Sequence, residues 1–391
     1  MPEVYICEAL RTPIGSFLGE LSSFSAPTLA SEVIKALIEK SSISKEKIDE
    51  VILGNVLSAG IGQAPARQAA LFAGLPTSVE CMTINKVCGS GLKSVMLAHQ
   101  AIKTGDAGVV IAGGMESMSN APYILHGIRN GVKFGNQNLL DSMVSDGLTD
   151  PYNKIHMGVC AEKVAAEKSI SRQTQDEFAI ESYKRAIAAQ EKNLFNEEIV
   201  PIEIKEKGGS KFIKEDEEPK KVKFDKIPQL KSVFEKEGTI TAANASKLND
   251  GAAALLVASE AKVKEYGLKP KVRILSQASA AIDPINFSLA PINSINKALA
   301  KAKLSINDID LFEINEAFAL VTIAAMNELK IDHAKVNVNG GAIALGHPIG
   351  ASGARILTTL IYEMKRRNSK FGLASLCIGG GEASTLIVEN I

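Results

Sequence analysis

The chain repeats itself. "SKEKIDEVILGNV", from Ser44, is echoed by "SINDIDLFEINEA", from Ser305. "CGSGLKSVMLA" from Cys88 is echoed by "GASGARILTTL" from Gly350, and "VVIAGGMES" from Val109 by "SLCIGGGEAS" from Ser375. The three matches keep one order and a nearly constant displacement of about 260 positions, the mark of a duplicated unit. A chain of this kind must fold as two similar halves, and whatever the first half places at a turn the second half places again.

Each half reads as a helix, a strand, a glycine-rich turn, a second helix and a second strand. Val33, Ile34, Leu37 and Ile38 have helical spacing, residues 50–56 make a short apolar strand, and Leu92, Val95, Met96, His99 and Ile102 share a helical face. "AGVVIAGG" has the pattern of a buried strand closed by glycines. Alternating strands and helices predict an α/β fold with a mostly parallel sheet covered on both faces. The halves are not contiguous: the first takes in 1–118 and a return segment 249–269, the second 270–391, and 119–248 is an insert. The insert is rich in Lys and Glu, with the run "KEKGGSKFIKEDEEPKKVKFDK". Such a mixed-charge run is ordinarily a solvated surface. The alternative is a cationic rim for an anionic ligand, centred on Lys220, Lys221, Lys223 and Lys226.

Charge and cysteine usage narrow the function. With 44 basic and 44 acidic residues the formal net charge is zero, which argues against a nucleic-acid partner. Five cysteines (Cys7, Cys81, Cys88, Cys160, Cys377) are widely spread with no CxxC spacing, so free thiols in a reducing compartment are expected. The N-terminal stretch carries Glu3, Glu8 and Arg11 and does not read as a secretory or transit signal. With no apolar run long enough to span a bilayer, a cytoplasmic location without membrane partners is expected.

Four turns carry the chemistry-bearing residues. Cys88 precedes Gly-Ser-Gly at a strand-to-helix turn, where a helix N-terminus would favour thiolate over thiol. Most intracellular cysteines are instead small buried hydrophobes, and that reading suits Cys7, Cys81 and Cys160. His347 lies between Gly346 and Pro348, in the second-half turn that corresponds to the Cys88 turn. A lone histidine is more often a satisfied structural group, but if the halves pack about a pseudo-twofold the two turns meet and the imidazole becomes a base for the sulfur. Cys377 precedes a glycine triplet whose amides could stabilise an oxyanion, against the plainer reading of a strand-end thiol. Asn315, in "NEAFA", could polarise a carbonyl or simply cap a turn. Glycine- and amide-rich turns with two thiols and an imidazole suit acyl transfer through a covalent thioester. HExxH, GxGxxG and Walker A patterns do not occur.

These blocks, with "GGMESMSNAPY", "HMG" and "TAANASKLNDGAAA", occur in the order found in the thiolase family, which the chain resembles over its whole length. The resemblance is to the short-chain acetoacetyl-CoA thiolases of mitochondrial and biosynthetic type. It implies the five-layered αβαβα fold of two duplicated halves with an inserted loop domain, in a homotetramer built from two dimers with contacts near 121–140. It implies reversible condensation of two acetyl-CoA to acetoacetyl-CoA and coenzyme A. Cys88 would be the acylated nucleophile, His347 its base, Cys377 the group that moves the α-proton, and Asn315 the holder of a water at the enolate oxygen. Backbone N–H groups of Cys88 and Gly379 would hold the tetrahedral oxyanion. For coenzyme A the resemblance implies Ser246, His156, Met157, Leu148, Ala317 and Phe318 along the pantetheine arm, and Lys221, Val222, Lys223 and Lys226 toward its nucleotide end, with Tyr183 also among the binding residues. No cofactor is required, but potassium would be held by Tyr183 and by the carbonyls of Ala242, Ala243, Ala245 and Ile343. "INFSLAP", 285–291, resembles the subgroup that accepts 2-methyl-branched substrates. A carrier-protein synthase, which pairs one cysteine with two basic side chains, and a non-catalytic acyl-CoA binder remain as alternatives.

Overall fold

The computed structural model describes residues 2–391. The first half consists of β1 (Val4–Arg11), α1 (Ala26–Ser41), β2 (Glu50–Gly54), α2 (Pro65–Phe72), β3 (Glu80–Ile84), α3 (Ser90–Thr104) and β4 (Val109–Ser117). The insert holds α4 (Met157–Glu167) and α5 (Arg172–Glu191) among short hairpins, and the chain returns as β5 (Asn249–Ser259). The second half follows with β6 (Val272–Ala281), α6 (Ala290–Ala302), β7 (Leu311–Ile314), α7 (Ala319–Leu329), α8 (Ser352–Arg367), β8 (Phe371–Ile378) and β9 (Glu382–Asn390).

The strand order is β3-β2-β4-β5-β1 in the first half and β6-β9-β8-β7 in the second, joined where Tyr5 and Ile6 of β1 meet Arg273 and Val272 of β6. The two orders are the same. The second-half partner of β3 is reduced to a bridge between Phe312 and Val336. The sheet is mixed, not mostly parallel. β2 pairs in parallel with β3 and β4, and β7 with β8, while β1, β5, β6 and β9 run antiparallel to their neighbours. The helical crossovers dictate the parallel pairs. The strands that open and close each half are not linked by such crossovers and are free to run the other way. Between β4 and β5 the insert adds no strand to this sheet.

Period-two alternation along the central strands builds the layers. In β5, Ala252, Ala254, Leu256 and Ala258 face α1 and α2, while Ala253, Leu255 and Val257 face α3 and α8. Both halves contribute to that middle layer, where Leu92 and Val95 of α3 meet Ile356, Leu357 and Leu360 of α8. On the far side Ile295, Ala298 and Leu299 of α6 and Ala325 of α7 cover β7, β8 and β9. The five layers are therefore helices, sheet, the α3–α8 pair, sheet, helices. No helix among the described residues is long and apolar enough to cross a membrane.

The duplication brings the glycine turns together. A Cβ added at Gly91 would lie 2.8 Å from the Ala354 nitrogen, and one at Gly353 only 2.3 Å from the Leu92 nitrogen. Only hydrogen at both positions lets the N-termini of α3 and α8 approach this closely. Cys88 and His347 sit at these two ends.

Candidate active site

Cys88 lies two residues before α3, in a turn that forces Val87 to φ +45°. A β-branched residue rarely takes that conformation, so the turn around the cysteine stores backbone strain. The backbone N–H groups of Gly379 and of Cys88 act on the sulfur, which brings the glycine triplet after Cys377 against it. They do not make it a thiolate. Burial pushes the Cys88 thiol up to about 11, and Glu116 adds to the rise. The helix-terminus argument from sequence is thus corrected: its field is outweighed by loss of solvent around the sulfur.

His347 is buried and neutral, its pKa lowered to about 3 by burial and by the nearby Arg355 guanidinium. Its Nδ1 lies 2.6 Å from Ser352 Oγ, and that hydroxyl donates to the Pro348 carbonyl at 2.8 Å. Because the hydroxyl proton is committed, Nδ1 carries the ring proton and donates it, leaving the lone pair on Nε2. Nε2 faces the Asn315 Nδ2 at 3.5 Å. The Asn315 Oδ1 is buried with no hydrogen-bond partner among the described residues, so this amide is held for something that enters the site. Its backbone is anchored at the end of β7 by a 2.9 Å bond to the Ser375 carbonyl.

Cys377 is buried at the end of β8. Burial raises its pKa well above the ordinary thiol value, and the neighbouring Cys88 sulfur raises it further. The two thiols therefore feel each other's charge. Cys7, Cys81 and Cys160 take no part in this group; Cys7 and Cys160 lie in separate core clusters and Cys81 packs against one of them.

Sequence reasoning missed three supports. Glu116, at the end of β4, accepts from Asn55 Nδ2 at 2.8 Å, from the N–H groups of Val56 and Leu57, and from Gly350 at 2.9 Å. It ties the β2 end of one half to the histidine loop of the other. Burial lifts its carboxyl to about 7 against the pull of those donors. Asn249 accepts the His347 N–H at 2.8 Å and donates to the Gly15 carbonyl. Glu316 accepts from Ser182, Asn337 and the Ile343 N–H, fixing the turn next to Asn315. An acid after two glycines at the end of a buried strand was the one sequence signal available, at Glu116.

A cavity of about 450 Å³ opens beside this group, lined at its inner end by His347, Ile349 and Met118. Cys88 packs against the cluster that includes Met118, Met143 and Ile349, three residues of the cavity wall. Of the expected coenzyme A contacts, Leu148, His156, Ser246 and Phe318 line the cavity. Met157 and Ala317 sit in the cluster behind it with Tyr183, and Val222 packs on the same cluster. Lys221, Lys223 and Lys226 are exposed and do not line it; Lys221 bonds to Ser16 and lies 3.3 Å from Glu217. His156 is a helix cap whose Nδ1 accepts the Gly158 N–H at 3.0 Å, and its ring stacks on Phe234. That bond leaves its Nε2–H as a donor at the cavity wall.

Of the expected potassium ligands Tyr183, Ala242, Ala243, Ala245 and Ile343, the Ala242 and Ala245 carbonyls are already taken. Lys247 Nζ donates to the Ala242 carbonyl and, at 3.2 Å, to that of Ala245, and lies 5.6 Å from the centre of the Tyr183 ring. An ion at those two oxygens would have to displace the ammonium, so with Lys247 in place they do not fit it.

Comparison with known proteins agrees with this architecture. Residues 4–261 match the thiolase N-terminal domain and residues 268–390 the thiolase C-terminal domain. The chain is 54% identical to acetyl-CoA acetyltransferase of Cupriavidus necator, covering 100% of both chains. It is 50% identical to the mitochondrial acetyl-CoA acetyltransferase of Homo sapiens, covering 100% of this chain and 91% of that one. It superposes on the Acat5 thiolase of Ascaris suum in complex with coenzyme A with a TM-score of 0.94 at 44% identity, covering 100% of both chains. Human mitochondrial 3-ketoacyl-CoA thiolase gives 0.96 at 41% identity, over 100% of this chain and 99% of that one.

Proposed function

The chain belongs to the thiolase family, and from that membership we propose that it is an acetyl-CoA C-acetyltransferase, condensing two acetyl-CoA to acetoacetyl-CoA and coenzyme A, and reversing the reaction, through acetyl-Cys88. The supporting observation is the grouping of two neighbouring thiols, one neutral imidazole and one amide with an unpartnered oxygen beside a cavity whose wall includes that imidazole.

In thiolysis His347 Nε2 takes the Cys88 proton as the sulfur attacks the ketone carbon of acetoacetyl-CoA. The carbon–carbon bond breaks, and the enolate of acetyl-CoA takes its proton from Cys377. A thiol with so raised a pKa stays protonated at rest, and its thiolate is a strong base for the reverse step. Incoming coenzyme A gives its thiol proton to the Cys377 thiolate and attacks acetyl-Cys88, and the proton held on His347 returns to the departing Cys88 sulfur. The N–H groups of Cys88 and Gly379 offset the charge of the tetrahedral oxyanion, a role whose removal typically costs 10²–10³-fold in rate, and Asn315 Oδ1 would accept from a water that donates to the enolate oxygen. Coenzyme A would lie along Leu148, His156, Met157, Ser246, Ala317 and Phe318, with Lys221, Val222, Lys223 and Lys226 toward its phosphates.

Mass spectrometry after incubation with acetoacetyl-CoA should find one acetyl group, on Cys88. With acetyl-CoA as the donor, Cys377→Ala should still acetylate Cys88 and should lose condensation. Absence of the adduct in wild type, or synthesis by the variant, would refute these roles. We also assign a homotetramer, supported by β3 at the sheet edge with Met82 exposed and by the exposed Tyr123, Ile128, Val132 and Phe134 in the insert. Light scattering at monomer mass would reject it. Five free cysteines favour the reducing cytoplasm, to be checked by cell fractionation.

A further inference from the structure

The turn 241–246 forms one wall of the cavity and also leans on the segment that carries Asn315. The Ser246 N–H donates to the Ala317 carbonyl at 3.0 Å, and the Ala319 N–H to the Asn244 carbonyl at 2.9 Å. Inside the turn, Thr241 N–H bonds to Asn244 Oδ1, and Asn244 Nδ2 reaches Asp176 of α5 at 2.9 Å. Its carbonyls at 242 and 245 point the other way, to one spot next to the Tyr183 ring, where Lys247 Nζ lies. Converging carbonyl oxygens against an aromatic face form a site for a monovalent cation, and an ammonium is close to potassium in size and satisfied by the same oxygens.

We propose that Lys247 is a tethered cation that occupies this site, bracing the cavity wall and making the protein independent of potassium. The tether removes the entropy cost of capturing an ion from solution, so the site is filled at any salt composition. Glu218 is the one charged group whose field favours the ammonium there, and burial opposes it, bringing the Lys247 pKa down to about 8. The lysine is thus held charged at neutral pH by the carbonyls and by Glu218. Removing it takes the donor from both carbonyls, of which the one at Ala245 is partly buried.

The test uses the full-length protein and Lys247→Ala, both purified in potassium and exchanged into choline, sodium or potassium chloride at one ionic strength. Wild type should show the same melting temperature and the same kcat/KM in all three. Lys247→Ala should melt lower in choline, with KM for the CoA thioester raised about tenfold, the size expected for charge-assisted bonds. Potassium should restore both. Wild type stabilised or accelerated several-fold by potassium would overturn the proposal. So would a Lys247→Ala protein that matches wild type in choline, or whose losses potassium leaves unchanged. If the alanine variant does not fold, Lys247→Met, which keeps the apolar stem, must show the choline losses. The melting arm does not depend on the assigned reaction, so failure of the acetyl transfer chemistry and failure of this inference are separately visible.

Discussion

His347 and Cys88 form a neutral pair at rest. Burial holds the imidazole down to about 3 and the thiol up to about 11, so charge separation between them must be driven by substrate. This has a consequence for stability. The unfolded imidazole titrates near 6.5 and the folded one near 3, so the unfolded chain takes up the proton first as pH falls. The contribution of this residue is complete above 6.5 and is lost progressively toward pH 3; at pH 5 the loss is about 2 kcal/mol. Urea unfolding of wild type and His347→Gln at neutral pH and at pH 5 measures it, and the wild type should lose more on acidification by about that amount. Equal losses would mean that the folded imidazole is protonated near its ordinary pKa. Cys88, His347, Cys377 and Asn315 could be singled out in the sequence because each sits in a short motif of glycines or amides. Ser352, Asn249 and Lys247 were not, because the sense of each depends on a partner or a tautomer that no local pattern encodes. Lys247 in particular reads as a surface lysine until the turn before it closes on its ammonium.

Among the elements, α3 and α8 decide whether there is a site at all. Their N-termini meet through Gly91 and Gly353, residues in corresponding places of the two repeats. Gly353→Ala would drive a methyl to 2.3 Å from the Leu92 nitrogen, a backbone atom that cannot rotate away, whereas Gly91→Ala meets its nearest atom at 2.8 Å. Both should be destabilised by roughly 1–3 kcal/mol, with Gly353→Ala the worse, and both should lose acetylation of Cys88 as the turns are forced apart. Thermal unfolding and the adduct assay check this; wild-type values for Gly353→Ala would show that the helices can separate at no cost. Helices and strands near the repeats were readable from periodicity, although α1 begins earlier, at Ala26, and the strand expected over 50–56 ends at Gly54. The parallel sheet was misjudged because strand direction depends on which segments are joined by crossovers. The insert, between β4 and β5, hides that joining from any local window.

At the scale of the molecule, the insert is fastened to the first half by a buried charge cluster. Arg11, at the end of β1, bonds through Nε to Glu198 at 2.6 Å and through Nη1 and Nη2 to Asp216 at 2.7 and 3.0 Å, all three residues buried. Asp216 also accepts the Ile14 N–H at 2.7 Å. Arg11→Ala leaves two buried carboxylates without their cation, which should cost about 3–5 kcal/mol. Chemical denaturation gives the figure, and limited proteolysis should cut first in the hairpin Ile202–Ile213. A loss below about 1 kcal/mol would show that other contacts carry the docking. The sequence by itself determined the duplication, the glycine turns and the residue types at each, because these are statements about backbone freedom and spacing written locally. Only the tertiary structure decided that the thiol is protonated, which histidine nitrogen keeps its lone pair, and which side chain lies against the carbonyls of the cavity wall. Those depend on how much water is excluded and which charges arrive from distant segments, and neither exists until the halves have closed on one another.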